Sequence, residues 1–135
     1  MINIDIESSL GAIPAALDQI DDFLQRLGAD GGARFDIMVS VEEMLTNIVS
    51  YAHPDRDPGR ISLTLSAEAG IAICTLADNG VPFNPLRTPP PDLDAGIEGR
   101  RIGGLGIHFV RKMMQSVDYA RVDGRNVLTM GRSLT

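Results

Sequence analysis

Residues 71–77, IAICTLA, form a run that is nearly all apolar, with Gly70 before it and Asp78-Asn79-Gly80 after it. Such a run between turn signals reads as a strand covered on both faces, and the other elements must pack around it. Residues 60–66 alternate through Ile61, Leu63 and Leu65, and residues 1–6 through Ile2, Ile4 and Ile6, as half-buried strands do. At the other end of the chain, residues 119–122 and 126–130 flank Asp123-Gly124, the signature of a hairpin closed by a two-residue type I′ turn.

Helical spacing fills the intervals. Ile13, Leu17, Ile20, Leu24 and Leu27 recur at steps of four and three, a single apolar stripe. Ser8 or Ser9 can cap this helix, Pro14 is tolerated near its first turn, and Gly28 ends it. Asp30-Gly31-Gly32 reads as a loop, a second helix runs from Arg34 to about Ala52, and His53-Pro54 stops it. Gly103-Gly104-Leu105-Gly106 leads into a third helix ending near Met114. Two helices inside a set of strands, then a third before a hairpin, predict an α+β two-layer sandwich. Its mostly antiparallel sheet would carry the helices on one face. The length of 135 residues fits one domain, 1–135.

Composition narrows the function. Twelve Lys+Arg against 18 Asp+Glu give a net charge of -6, which disfavours nucleic acid, whose phosphates need a basic face. Nucleotides stay open, because backbone N–H groups and a metal ion suffice to hold them. Cys74 is the only cysteine, which excludes an internal disulfide, and with His53 and His108 it cannot complete a structural zinc set. The longest stretch without Asp, Glu, Lys or Arg, residues 44–54, falls well short of the roughly 18 residues of a membrane span. No basic segment opens the chain as a secretory signal would, so the expected location is the cytoplasm.

Three constellations carry chemistry. In VEEMLTN, Glu43 and Asn47 stand four apart, on one helix strip with Asp36 and Ser40, while Glu42 points about 100° away. A carboxylate and an amide oxygen one turn apart can hold a proton acceptor and a hard cation side by side. Asp78-Asn79-Gly80-Val81-Pro82-Phe83 follows the buried strand, where Asp78 can accept from a ligand amino group and Gly80 permits close backbone approach. Gly103-Gly104-Leu105-Gly106 offers bare N–H groups at the positive end of a helix, a phosphate cradle. Between the last two lies a segment rich in proline, glycine and arginine, and so long a loop in so small a domain is usually functional. Taken singly, each constellation is also what a solvated helix face, a turn or a hinge would show. Their order is more telling.

A Glu-x-x-x-Asn helix, Asp-x-Gly-x-x-Phe after a strand, an intervening loop and Gly-x-Gly opening a helix resemble the N box and glycine boxes of the GHKL ATPases. Within that superfamily the sequence is most similar to the anti-sigma-factor serine/threonine kinases, the RsbW-like proteins, over nearly its whole length. The resemblance implies a Bergerat, or histidine-kinase-like, ATPase fold with an ATP lid at about residues 83–102. It implies that Asn47 ligates Mg²⁺, Asp78 bonds the adenine amino group, and Gly80 and Phe83 complete the adenine box. Gly103, Gly104, Leu105 and Gly106 would hold the phosphates, and Glu43 would be the general base. An arginine commonly reaches the terminal phosphate from just before the Gly-x-Gly; here Ile102 and Gly103 stand there, and Arg100 or Arg101 would serve. Pro82 replaces the usual second glycine of the first glycine box. The implied partners are an anti-anti-sigma protein of the STAS type, phosphorylated on serine or threonine, a sigma factor held by the kinase, and a second copy of the chain. The alternative is an ATP- or ADP-binding regulatory module without phosphoryl transfer. A sensor-kinase module would need a dimerisation helix pair and an acceptor histidine, for which the sequence has no room.

Overall fold

The computed structural model describes residues 1–52, 59–87 and 104–135. Strand β1 (Ile2–Glu7) leads to helices α1 (Ile13–Arg26) and α2 (Gly31–Asn47). Strands β2 (Arg60–Glu68) and β3 (Ile71–Asp78) follow, then helix α3 (Gly104–Met113) and the hairpin of β4 (Ser116–Val122) and β5 (Arg125–Ser133). The strands form one antiparallel sheet in the order β1-β2-β3-β5-β4. The expected α+β two-layer sandwich is the observed one.

Period-2 burial fixes which face the helices cover. Ile61, Leu63 and Leu65 of β2 are buried, as are Ala72, Cys74 and Leu76 of β3 and Leu128 and Met130 of β5. Leu76 stands opposite both Leu63 and Leu128, and Cys74 opposite Leu65 and Met130, so these rows make a continuous apolar floor. Ile20 and Leu24 of α1, Ile37, Val41, Met44 and Leu45 of α2, and Val110 of α3 close over it. Burial pushes the Cys74 thiol up to about 12, as befits a packing residue.

Four local expectations change. Ile73, Thr75 and Ala77 are only half-buried, because the helices all lie on the opposite side of β3 and leave its other face uncovered among the described residues. Neither Ser8 nor Ser9 caps α1 through its side chain: a 3₁₀ turn at Leu10–Ala12 comes first, and Ser9 begins it without a side-chain bond. Helix α2 starts at Gly31, earlier than its apolar pattern, because the Asp30 carboxylate accepts from Ala33 N–H at 2.8 Å. The same helix tightens no further than Asn47, after which Ile48–Ala52 form a π turn. The His53-Pro54 stop lies outside the described residues. The hairpin turn is as expected, with φ of 52° at Asp123 and 76° at Gly124.

Candidate functional site

Asp78 is the last inward-facing residue of β3, after Ala72, Cys74 and Leu76, so strand alternation alone delivers its carboxylate to the helix-covered side. It is buried, at 1% exposure. Its Oδ1 accepts from Gly80 N–H at 2.8 Å and from Asn126 Nδ2 at 2.9 Å. The second carboxylate oxygen has no hydrogen-bond partner among the described residues. Asp78 and Asn47 line one cleft together with Met44, Ile48, Phe83 and Asn126. Asn47 is buried at the end of α2, and its amide has no side-chain hydrogen bond among the described residues. An unbonded amide in the wall of the cleft is open to an arriving ligand or cation.

The π turn after Asn47 joins the two halves of this cleft. It carries the Ala52 carbonyl to the turn after β3, where it accepts from Val81 N–H at 2.9 Å. A side chain at Gly80 would run into that same carbonyl. Gly80 thus permits the close backbone approach expected of it, and the group that approaches is the Ala52 carbonyl. Gly80→Ala is expected to lower stability by about 1–3 kcal/mol through overpacking against main chain. Denaturant unfolding measures it, and an unchanged midpoint would show that the contact yields freely. The π turn also brings Tyr51 to Phe83, with ring centroids 5.3 Å apart.

Glu43, one turn before Asn47, is half-buried, and its carboxylate lies directly against Gly106 in the first turns of α3. Burial, and then the neighbouring Glu42 carboxylate, raise the Glu43 carboxyl above the ordinary carboxylate range. Glu42 is itself exposed on the α1 side of the helix, beside Ile13, Leu17 and Met38. The strip expected to link Asp36, Ser40, Glu43 and Asn47 divides. Asp36 is held by Arg132 of β5, with Nε and Nη2 each 3.0 Å from Oδ2, and Ser40 is buried.

The structure therefore brings Glu43, Asn47, Asp78, Gly80, Phe83 and Gly106 to one end of the sheet. Gly104 and Leu105 begin α3 at the same place. Arg100, Arg101 and Gly103 lie outside the described residues, as does most of the span 83–102. Its first residues are anchored: Phe83 and Leu86 pack on the core, Pro85 is buried, and Arg111 of α3 donates to the Leu86 carbonyl at 2.7 Å.

Three further residues belong here that the sequence reading did not single out. Asn126 Nδ2 donates to Asp78 and to the Val81 carbonyl at 2.8 Å, while Asn126 Oδ1 accepts from Phe83 N–H at 3.1 Å and from the Tyr119 hydroxyl at 2.5 Å. Arg121 Nη1 donates to the Gly80 carbonyl at 2.9 Å. The β3–β5 register, with Asp78 opposite Asn126, and the β4–β5 register, with Arg121 opposite Asn126, reveal them.

Comparison with known proteins gives the family of the chain. Residues 6–132 match the family model described as a histidine kinase-like ATPase domain. The serine/threonine-protein kinase BtrW of Bordetella bronchiseptica is 34% identical over 97 residues, covering 72% of this chain and 68% of that protein. The serine-protein kinase RsbW of Listeria monocytogenes is 29% identical over 108 residues, covering 76% and 68%. Among solved structures, the RsbU and RsbW domains of a Mycobacterium tuberculosis protein align with a TM-score of 0.65 at 15% identity, over 98% of this chain. The chain spans about a third of that structure's length, 32%. The histidine kinase domain of an Erythrobacter litoralis blue-light-activated kinase aligns at 0.54 with 22% identity, over 90% of this chain and 61% of that one. At such identities these two speak for the fold alone. With its cleft flanked by the N box and the first glycine box, and with 127 of its residues spanned by the family model, the chain belongs to the histidine kinase-like ATPase domain family, in company with the RsbW-like serine/threonine kinases.

Proposed function

We propose that this chain is an ATP-dependent serine/threonine kinase that acts as an anti-sigma regulatory factor. It would phosphorylate a STAS-type anti-anti-sigma partner and, between such events, hold a sigma factor. The observation that carries the reading is the meeting of the Asp78 carboxylate and the unpartnered Asn47 amide in one cleft, with the Glu43 carboxylate one helical turn away against the first turn of α3. The kinases named among its relatives support the transfer step.

Asp78 Oδ2 would accept from the adenine amino group, with Phe83 and the Gly80 turn bounding the base. The N–H groups of residues 103–106 would meet the phosphates, joined by Arg100 or Arg101, and the segment beyond Arg87 would close as a lid. Mg²⁺, when bound, supplies charge neutralisation on the phosphates, and the Asn47 oxygen would be its protein ligand. One such ligand suffices, because Mg²⁺ takes most of its octahedral shell from phosphate and water. Glu43 would receive the proton of the attacking hydroxyl as the new oxygen–phosphorus bond forms. Phosphoryl transfer asks mainly for positioning and charge neutralisation, which this arrangement offers. No described helix is long and apolar enough to cross a membrane.

Asp78→Ala would leave the buried amino group without its acceptor. ATP affinity is expected to fall about ten- to a hundredfold, the equivalent of about 1–3 kcal/mol. Calorimetry with ATP and Mg²⁺ reads it, and full affinity in a folded Asp78→Ala protein would put the adenine elsewhere. The activity itself is tested with labelled ATP, Mg²⁺ and the STAS proteins of the same genome. Label transfer is the expected result. Tight ATP binding without transfer to any of them would make the chain a nucleotide-dependent binding module instead.

A further inference from the structure

We propose that Asn126 sets the base preference of the cleft by holding Asp78 in a single orientation and a single hydrogen-bonding role. The proposal rests on the adenine-site reading above and goes beyond it in assigning a residue on β5 to selectivity.

Three of the four hydrogen-bonding partners of the Asn126 side chain have a fixed polarity: the Phe83 N–H, the Val81 carbonyl and the Asp78 carboxylate. Its Oδ1 faces two groups that can serve it only as donors in this arrangement, the Phe83 N–H at 3.1 Å and the Tyr119 hydroxyl at 2.5 Å. The Nδ2 must then face the other way, toward two acceptors, Asp78 Oδ1 at 2.9 Å and the Val81 carbonyl at 2.8 Å. A flipped amide would set nitrogen against N–H and oxygen against oxygen at once, so the orientation is over-determined. The side chain is 4% exposed, so water does not compensate a lost bond.

The consequence falls on Asp78. Gly80 N–H and Asn126 Nδ2 both donate to Oδ1, which saturates that oxygen and stops rotation of the carboxylate. Oδ2 is left as a pure acceptor in the cleft. A base that presents an amino group at its exocyclic position is bonded there, whereas one that presents a carbonyl meets lone pairs with lone pairs. Adenine is accepted and guanine refused. A carboxylate free to turn would discriminate less. Asn126 thus works as a positioning residue: it does not need to touch the nucleotide.

The test is the ratio of ATP to GTP affinity in the full chain, measured by calorimetry. Asn126→Asp keeps size and shape but turns the Nδ2 donor into an acceptor facing Asp78 Oδ1 and Val81 O. ATP affinity should fall about tenfold or more, with GTP affinity changed far less, so the preference collapses. Among the described residues, the titratable and charged groups around position 126 are Asp78 on β3 and Tyr119 and Arg121 on β4. Two carboxylates in contact share a proton as pH falls, and that proton restores the donor. ATP affinity of Asn126→Asp should therefore recover on acidification, a response absent from wild type and not expected from a purely structural defect. If Asn126→Asp does not fold, Tyr119→Phe removes one of the two donors that orient the amide, and it should lower the ATP to GTP ratio a few-fold. An unaltered ratio in either folded variant overturns the proposal. Asp78→Asn separates this outcome from failure of the site: if wild type binds ATP and Asp78→Asn does not, an unaltered ratio at position 126 sinks the selectivity claim alone. If Asp78→Asn binds ATP normally, the adenine reading falls and takes this proposal with it.

Discussion

Glu43→Gln should reduce phosphoryl transfer to the partner by about 10²–10⁴ while ATP binding stays within a few-fold. The change keeps the side chain's length and hydrogen-bonding capacity and deletes only its ability to take a proton. Glu43 lies against Gly106, where the phosphates are proposed to sit, and an acceptor there is useful only if it is basic enough. Its raised carboxyl moves basicity toward working pH. The base form is needed, so transfer should climb with pH through that raised value and then level off. Removing the Glu42 charge lowers the Glu43 carboxyl, so Glu42→Gln should move the acidic limb to lower pH and leave the plateau rate nearly unchanged. Stability runs in the opposite sense. A carboxyl raised by folding contributes stability at pH below its unfolded value and loses it as pH rises through the folded value. Glu43→Gln should thus melt no earlier than wild type at neutral pH while being nearly inactive. Normal transfer by Glu43→Gln would replace the kinase mechanism with the binding-module reading.

How much of this was legible beforehand depends on whether the information is local. Asp78 was, because a strand ending in Asp-x-Gly announces both its own position and the turn after it. So was the Asp123-Gly124 hairpin, since only a few residues tolerate two successive positive φ values. The early start of α2 was missed because the Asp30 cap outweighs two glycines of low helix propensity. The π turn left no trace in the apolar pattern, which runs on through Ile48, Val49 and Ala52 as a helix would. Burial of 71–77 was overestimated on one side, since apolar residues on the open face of a sheet look the same in sequence as buried ones. Asn126 was invisible. It stands 48 residues from Asp78, and its importance comes from the β3–β5 register, a nonlocal property. Arg132 taking Asp36 from the strip has the same origin.

Gly106→Ala should separate the placing of Glu43 from its chemistry. A methyl at position 106 would overlap the Glu43 carboxylate and its Cγ, so this flexible side chain must swing aside as a whole. The backbone N–H of residue 106 survives, so phosphate contacts and ATP affinity should stay within a few-fold. Alanine also has the better helix propensity, by about 1 kcal/mol, so α3 and the melting temperature should not suffer. What changes is where the base sits. A displacement on the order of 1 Å can cost about 10²-fold in rate, and transfer should fall by about that factor. Pushed outward, the carboxylate regains water and its proton affinity drops toward the ordinary range, so the acidic limb of the rate profile should shift to lower pH. The double variant Glu43→Gln/Gly106→Ala should be no slower than Glu43→Gln alone, because both substitutions act on one group. If instead the two losses multiply, position 106 serves the phosphates independently of Glu43, and the carboxylate resting against it is not the base.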